Sequence, residues 1–220
     1  MGTISFVFPA VFVVMCIVAI PVISWILRRL HENMRAIAGE LGLSYRGPLE
    51  AAPDSSAATG VRRFLGLLAP WRMVGNLSGV FVTISPETKG KTSYSAVAAH
   101  FPRPLAFTMR IGRETALARL GKAVLGLEDI EVGSGQFDEE VRIRGIDRAG
   151  IVSLLAHADV QERILAALRA SRSITVTEKA AHWEKQGTVE ETETYRRALD
   201  LVVPIVRALI DAGAFPDQDR

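Results

Sequence analysis

No side chain between Met1 and Leu27 carries a charge, and from Ile4 to Leu27 only Ser5 and Ser24 interrupt an apolar run. As a helix, that run would reach about 36 Å at roughly 1.5 Å per residue, beyond the approximately 30 Å hydrocarbon core of a bilayer. Pro9 and Pro21 lie near its ends, where a membrane helix tolerates them. Trp25 stands where an interfacial aromatic belongs, and Arg28 and Arg29 follow as charged anchors. A cleaved signal peptide would open on a cationic stretch, whereas this chain begins Met-Gly-Thr-Ile-Ser. A lipidated Cys16 would need small residues before it, and Val14-Met15 stand there. A buried core helix rarely needs more than about 14 continuous apolar residues. The run predicts a single transmembrane helix over residues 1–28.

Arg28, Arg29 and Arg35 follow the run, and no Lys or Arg precedes it. The positive-inside rule then puts the remainder on the cytoplasmic side of an inner membrane. The sequon Asn76-Leu77-Ser78 is, on that reading, a chance match. One cysteine, Cys16, excludes an intramolecular disulfide and a thiolate zinc cluster. The mean hydropathy of +0.21 is high, and its excess is concentrated in the first segment. The 26 basic and 24 acidic residues nearly cancel, so nothing points to nucleic acid.

Leu30, Met34, Ile37, Ala38 and Leu41 recur at helical spacing and predict a juxtamembrane helix over 29–43, stopped by Gly42. Residues 44–60 read as a linker, rich in Pro, Ala and Ser from Gly47 on. Residues 61–213 then read as a domain, with 214–220 as a tail. Alternation predicts strands over 80–85, 105–111 and 137–144, and 92–101 reads as extended. A helix is expected from Arg113 to Val124, one capped by Asp147, and one opened by Asp159 with Glu162. Residues 173–178 and 181–185 read as paired strands. A last helix is expected from Thr188, with Glu191 completing its capping box, Pro204 inside it and Gly213 ending it. Strands grouped before helices predict an α+β fold: one transmembrane helix followed by an antiparallel sheet packed with several helices.

Lys89-Gly90-Lys91-Thr92 lacks the earlier glycine of a phosphate loop, since Ser85 stands there, and reads as a hairpin turn. His31, His100, His157 and His182 show no metal-ligand spacing, and no G-x-S-x-G elbow is present. Glu190, Glu191 and Glu193 fit a helix start, where they complement its dipole. No catalytic residue, cofactor site or metal site is expected. Charge is unevenly placed: Gly60 to Leu127 holds ten basic and two acidic residues, and Glu128 to Arg220 holds twelve basic and eighteen acidic. Arg62, Arg63, Lys89 and Lys91 are the residues expected to reach an anionic lipid headgroup, if the two halves do not neutralise each other.

Leu127-Glu128-Asp129-Ile130-Glu131, Phe137-Asp138-x-x-Val141-Arg142-Ile143 and Ile151-Val152-x-Leu154-Leu155 resemble a segment of uncharacterised bacterial single-pass membrane proteins. The resemblance spans residues 127–169 and implies an N-terminal anchor with a cytoplasmic domain of unknown function. It carries no catalytic residue. The expected function is a membrane-anchored, non-enzymatic binding or scaffold protein, integral to the bilayer, with a protein partner. The alternatives are an anionic-lipid-headgroup-binding domain and, third, an enzyme at the membrane surface built on His100, His182 or a carboxylate.

Overall fold

A computed structural model describes residues 4–47, 70–113 and 130–215, with side chains in the first helix from Ala19 onward. The chain forms two compact units, Met1–Met73 and Val74–Arg220.

In the first unit, α1 runs unbroken from Ile4 to Glu40 and is followed by the short strand β1 (Ser44–Arg46). The expected transmembrane span is corrected here: among the described residues no helix is long and apolar enough to cross a membrane. The two segments predicted over 1–28 and 29–43 are one helix. From Ala19 on it carries Arg28, Arg29, Glu32 and Arg35, so that part holds no long uncharged stretch. That part is two-faced, burying His31, Met34, Ile37 and Ala38 while the charges stay in solvent. The single-pass inner-membrane placement and the cytoplasmic orientation lose their premise with the span. The helix ends as expected at Gly42, whose φ is +69°, with Leu43 N–H bonded to the Ala38 carbonyl. His31 Nδ1 and the Tyr45 hydroxyl form a buried hydrogen bond between α1 and β1.

The second unit is built on an antiparallel sheet, as the alternating segments predict. Its strands are β2 (Arg72–Leu77), β3 (Val80–Lys89), β4 (Thr92–His100), β5 (Met109–Arg113), β6 (Val141–Gly145), β7 (Ile174–Thr177) and β8 (Ala180–Gln186). Their order in the sheet is β2-β3-β4-β8-β7-β5-β6. Ser78 and Gly79, with φ of +52° and +82°, make the two-residue turn from β2 to β3. Lys89-Gly90-Lys91-Thr92 is the β3–β4 hairpin turn, with Lys89 opposite Thr92. Among the described residues four helices accompany the sheet: α2 (Gly135–Glu140), α3 (Arg148–Leu155), α4 (Ala158–Ala170) and α5 (Thr192–Asp211).

Strand register divides the sheet into two faces. Val82, Ile84, Val97, Ala99, Ala181, Trp183, Ile174, Val176, Ile111 and Ile143 share one face and are buried. Helix α5 packs over β3, β4 and β8 and meets α4 alongside. The other face carries His100, His182, Glu184, Thr175, Thr177, Arg110, Arg142 and Arg144. A sheet with one face in a core and one polar face is the expected antiparallel arrangement.

Four expected boundaries move. Residues 137–140 are helical, because Phe137 turns into the core and Asp138 accepts the N–H groups of Val132 and Gly133, both at 2.9 Å. Only from Val141 on is that segment a strand. Strand β5 starts at Met109, since Phe101 and Leu105 give their N–H groups to the carbonyls of Lys179 and Glu178. Helix α4 takes His157 rather than Asp159 at its cap, leaving Asp159 to pair with Arg163 at 3.5 Å. Helix α5 opens at Thr192, four residues past the expected start at Thr188. Ser95 Oγ accepts the Val189 N–H and donates to the Gly187 carbonyl, each at 2.9 Å, and so holds 187–189 against β4. Asp147 does cap α3, accepting from Gly150 N–H. The helix expected over 113–124 falls mostly outside the described residues.

Ser95 is 1% exposed. Ser95→Ala is expected to cost about 1–3 kcal/mol, because it leaves the buried Val189 N–H without an acceptor. Denaturant unfolding checks this, and an unchanged midpoint would contradict it.

Candidate functional site

Strands β5 and β6 place arginines on the face away from the core. Arg110 stands directly opposite Arg144, Ile111 opposite Ile143, and Gly112 opposite Arg142. The alternation that buries Ile111 and Ile143 therefore throws Arg110, Arg142 and Arg144 together. Arg113 follows at the end of β5, and Arg172 comes from the turn between α4 and β7. These five arginines, with Gly112, Ile174 and Thr175, line a cavity of about 400 Å³. That is within the size range of small-ligand sites.

Among the described residues that line the cavity there is no carboxylate. Arg110, Arg113 and Arg172 are exposed, whereas Arg142 is 8% exposed and set into the wall. Arg142 and Arg144 also make interactions within the chain. Two like charges directly opposite on neighbouring strands, as Arg110 and Arg144 are, repel each other. A nearby acid, Glu140, takes two hydrogen bonds from Arg169 at 2.6 and 3.0 Å, tying α2 to α4, and also feels the charge of Arg113. The hydrogen-bonded Arg169 guanidinium holds the Glu140 carboxyl below its ordinary range.

A polar track leaves the cavity along the same face. Thr175 lies opposite His182 on β8, and His182 lies opposite Ala98 on β4. His100 is one diagonal step further on β4, 2.9 Å from Thr83 Oγ1. The two histidines considered for catalysis thus share a face, one strand from each other. Neither lines the cavity, and among the described residues no His, Cys, Asp or Glu group is suited to a metal ion.

Burial depresses the pKa of His182, with Lys89 adding to the effect and Glu87, Glu184 and Glu178 opposing it. The folded state therefore favours the neutral ring. Stability from this group is complete above the ordinary histidine pKa and falls as pH drops through and below it. His182→Gln is expected to flatten the fall in melting temperature between about pH 7 and 5. Parallel pH profiles for the two proteins would contradict this.

The basic residues singled out from sequence go elsewhere. Lys89 gives its ammonium to both Glu184 carboxylate oxygens and sits 5.6 Å over the Tyr94 ring. Lys91 is exposed in the adjacent turn. Strands β8 and β7 separate that hairpin from β5 and β6 in the sheet order. Arg62 and Arg63 lie outside the described residues. Trp25 is 60% exposed, with the Arg29 guanidinium 5.6 Å over its ring, and Arg28 is exposed beside them. Their role as membrane-interface anchors had depended on the span that is not found.

No protein-family model matches the chain, and no curated protein matches it. Among solved structures, the mycobacterial trehalose monomycolate transport factor A is similar at 12% identity. The match covers 88% of this chain and 99% of that one, with a TM-score of 0.47. At that distance the likeness carries no argument about this chain.

Proposed function

We propose that the protein is a non-enzymatic binding module that takes an anionic partner at the arginine-lined cavity of β5, β6 and β7. The observation that carries this reading is the convergence of Arg110, Arg113, Arg142, Arg144 and Arg172 on one cavity. Guanidinium groups stay charged at any physiological pH and present their donors in a fixed fork. They hold and orient an anion; they do not shuttle protons. Among the described residues of the lining there is no histidine or carboxylate to activate Thr175. Binding is the chemistry this set of side chains suits.

The reading keeps the binding role expected from sequence and moves its basic residues from the β3–β4 hairpin to the far strands. It also makes an anionic lipid headgroup one possible source of the ligand. The test is the melting temperature of the full chain in phosphate, succinate and chloride at equal ionic strength. A ligand at one hundred times its Kd stabilises by about 2.7 kcal/mol. At least one dianion is expected to raise the melting temperature above its value in chloride, and Arg110→Gln/Arg172→Gln is expected to lose that rise. The same response in the double variant, or none beyond chloride, would overturn the reading.

A further inference from the structure

We infer that the ligand is a phosphate monoester, with its phosphoryl group seated over Gly112 among Arg110, Arg142, Arg144 and Arg172; this rests on the binding reading above. The first argument is stoichiometric. A carboxylate has one charge and two oxygens, and a single guanidinium fork satisfies it. A phosphate monoester has nearly two charges at neutral pH and three terminal oxygens, enough for several forks at once. Five guanidiniums around one cavity match the second ligand better than the first.

The second argument is geometric. Gly112 lies between Arg142 across the β5–β6 ladder and Thr175, which lines the cavity from β7. A Cβ built on Gly112 meets nothing within 4 Å, so the space above β5 is open. The absence of a side chain there leaves a seat whose rim is arginine on the β6 side and a hydroxyl on the β7 side. Arg110 and Arg144 face each other next to it, so a dianion between them meets a guanidinium from each strand. Arg142, almost fully buried, is the fixed member of the set. Arg172, exposed on its turn, stands at the mouth.

The same chemistry is offered by a soluble phosphoester and by a phosphomonoester lipid headgroup. Calorimetric titration of the full chain with inorganic phosphate, glycerol phosphate and succinate at matched ionic strength tests the class. Phosphatidylcholine vesicles with and without phosphatidic acid test the source. Inorganic phosphate and glycerol phosphate are expected to bind about tenfold or more tightly than succinate. Gly112→Leu, which fills the seat without removing a charge, and Arg172→Gln, on an exposed turn, are each expected to weaken phosphate binding by about tenfold. Tighter binding to phosphatidic acid vesicles than to glycerol phosphate assigns the lipid source, and equal binding assigns the soluble one. Equal affinity for phosphate and succinate, both lost in Arg172→Gln, would overturn the phosphate inference and leave anion binding standing. No anion binding beyond chloride would overturn both. Wild-type phosphate affinity in Gly112→Leu would overturn the seat.

Discussion

Tyr195→Ala is expected to destabilise the second unit by about 3–5 kcal/mol, the range for removing a large buried ring. Tyr195 is fully buried in the first turn of α5, and its hydroxyl donates to the Val189 carbonyl at 3.0 Å. Burial raises its pKa, so the ring stays a neutral donor. The same Val189 gives its N–H to Ser95. One side chain from the helix and one from β4 thus satisfy both backbone groups of a residue that is itself buried. Tyr195→Phe keeps the ring and is expected to cost about 1–2 kcal/mol, the cost of the lost hydrogen bond. Urea unfolding of both variants checks the split. Equal losses would show that the hydroxyl, and not the packed ring, holds α5 to the sheet.

Gly145→Val is expected to cost about 3 kcal/mol or more, since overpacking against backbone leaves little room to relax. A Cβ at Gly145 would strike the Thr108 carbonyl oxygen and the Ile151 side chain. That carbonyl already accepts the Ile146 N–H at 3.1 Å, so it cannot withdraw freely. Gly112, on the paired strand, is the opposite case: Gly112→Ala adds a methyl to open space and is expected to be near neutral. Thermal unfolding of the two variants checks the contrast. A Gly145→Val protein as stable as Gly112→Ala would contradict the close packing of β6 against 108.

The core of the sheet was legible because its residues alternate. Val80, Val82 and Ile84, or Ile174 and Val176, have a period of two that fits a half-buried strand, and both sets are buried. Helix α5 was legible for the same kind of reason, as Tyr195, Leu199, Val202, Val206 and Leu209 fall on its buried side. Its start was not. Thr188 and Glu191 form a good local capping pattern, but Ser95, far away in sequence, pins Val189 in an extended path. Strands β1 and β2 escaped notice because Ser44–Arg46 is too short for a period and Arg72–Leu77 has no clean alternation.

The transmembrane expectation failed for a different reason. Hydropathy over residues 4–27 predicts a span, whereas among the described residues no helix is long and apolar enough to cross a membrane, and α1 runs on through Arg28 and Arg29 to bury Met34 and Ile37 beside β1. The pattern of Leu30, Met34, Ile37 and Ala38 reads as the juxtamembrane continuation of a membrane helix. It is the packed end of α1.

The arginine cavity was half legible. Arg110, Arg142 and Arg144 were all visible as the wetter positions of alternating strands. Their convergence was hidden by counting charge along the chain. Arg110 and Arg113 belong to the basic segment, and Arg142, Arg144 and Arg172 belong to the stretch with an acidic excess. Register, not composition, joins them across β5 and β6. The two halves do compensate each other at Lys89 and Glu184, where the β3–β4 hairpin meets β8. At the cavity they add.

The central claim is that an anion sits among those arginines, and the most direct test is where it sits. Titrating the chain, with its arginine side chains labelled for nuclear magnetic resonance, against inorganic phosphate reads each guanidinium Nε–H separately. The account predicts saturable shifts at Arg110, Arg142, Arg144 and Arg172, with Arg163, Arg196 and Arg197 unmoved. Uniform, non-saturating shifts across all arginines, or none at the cavity, would contradict it.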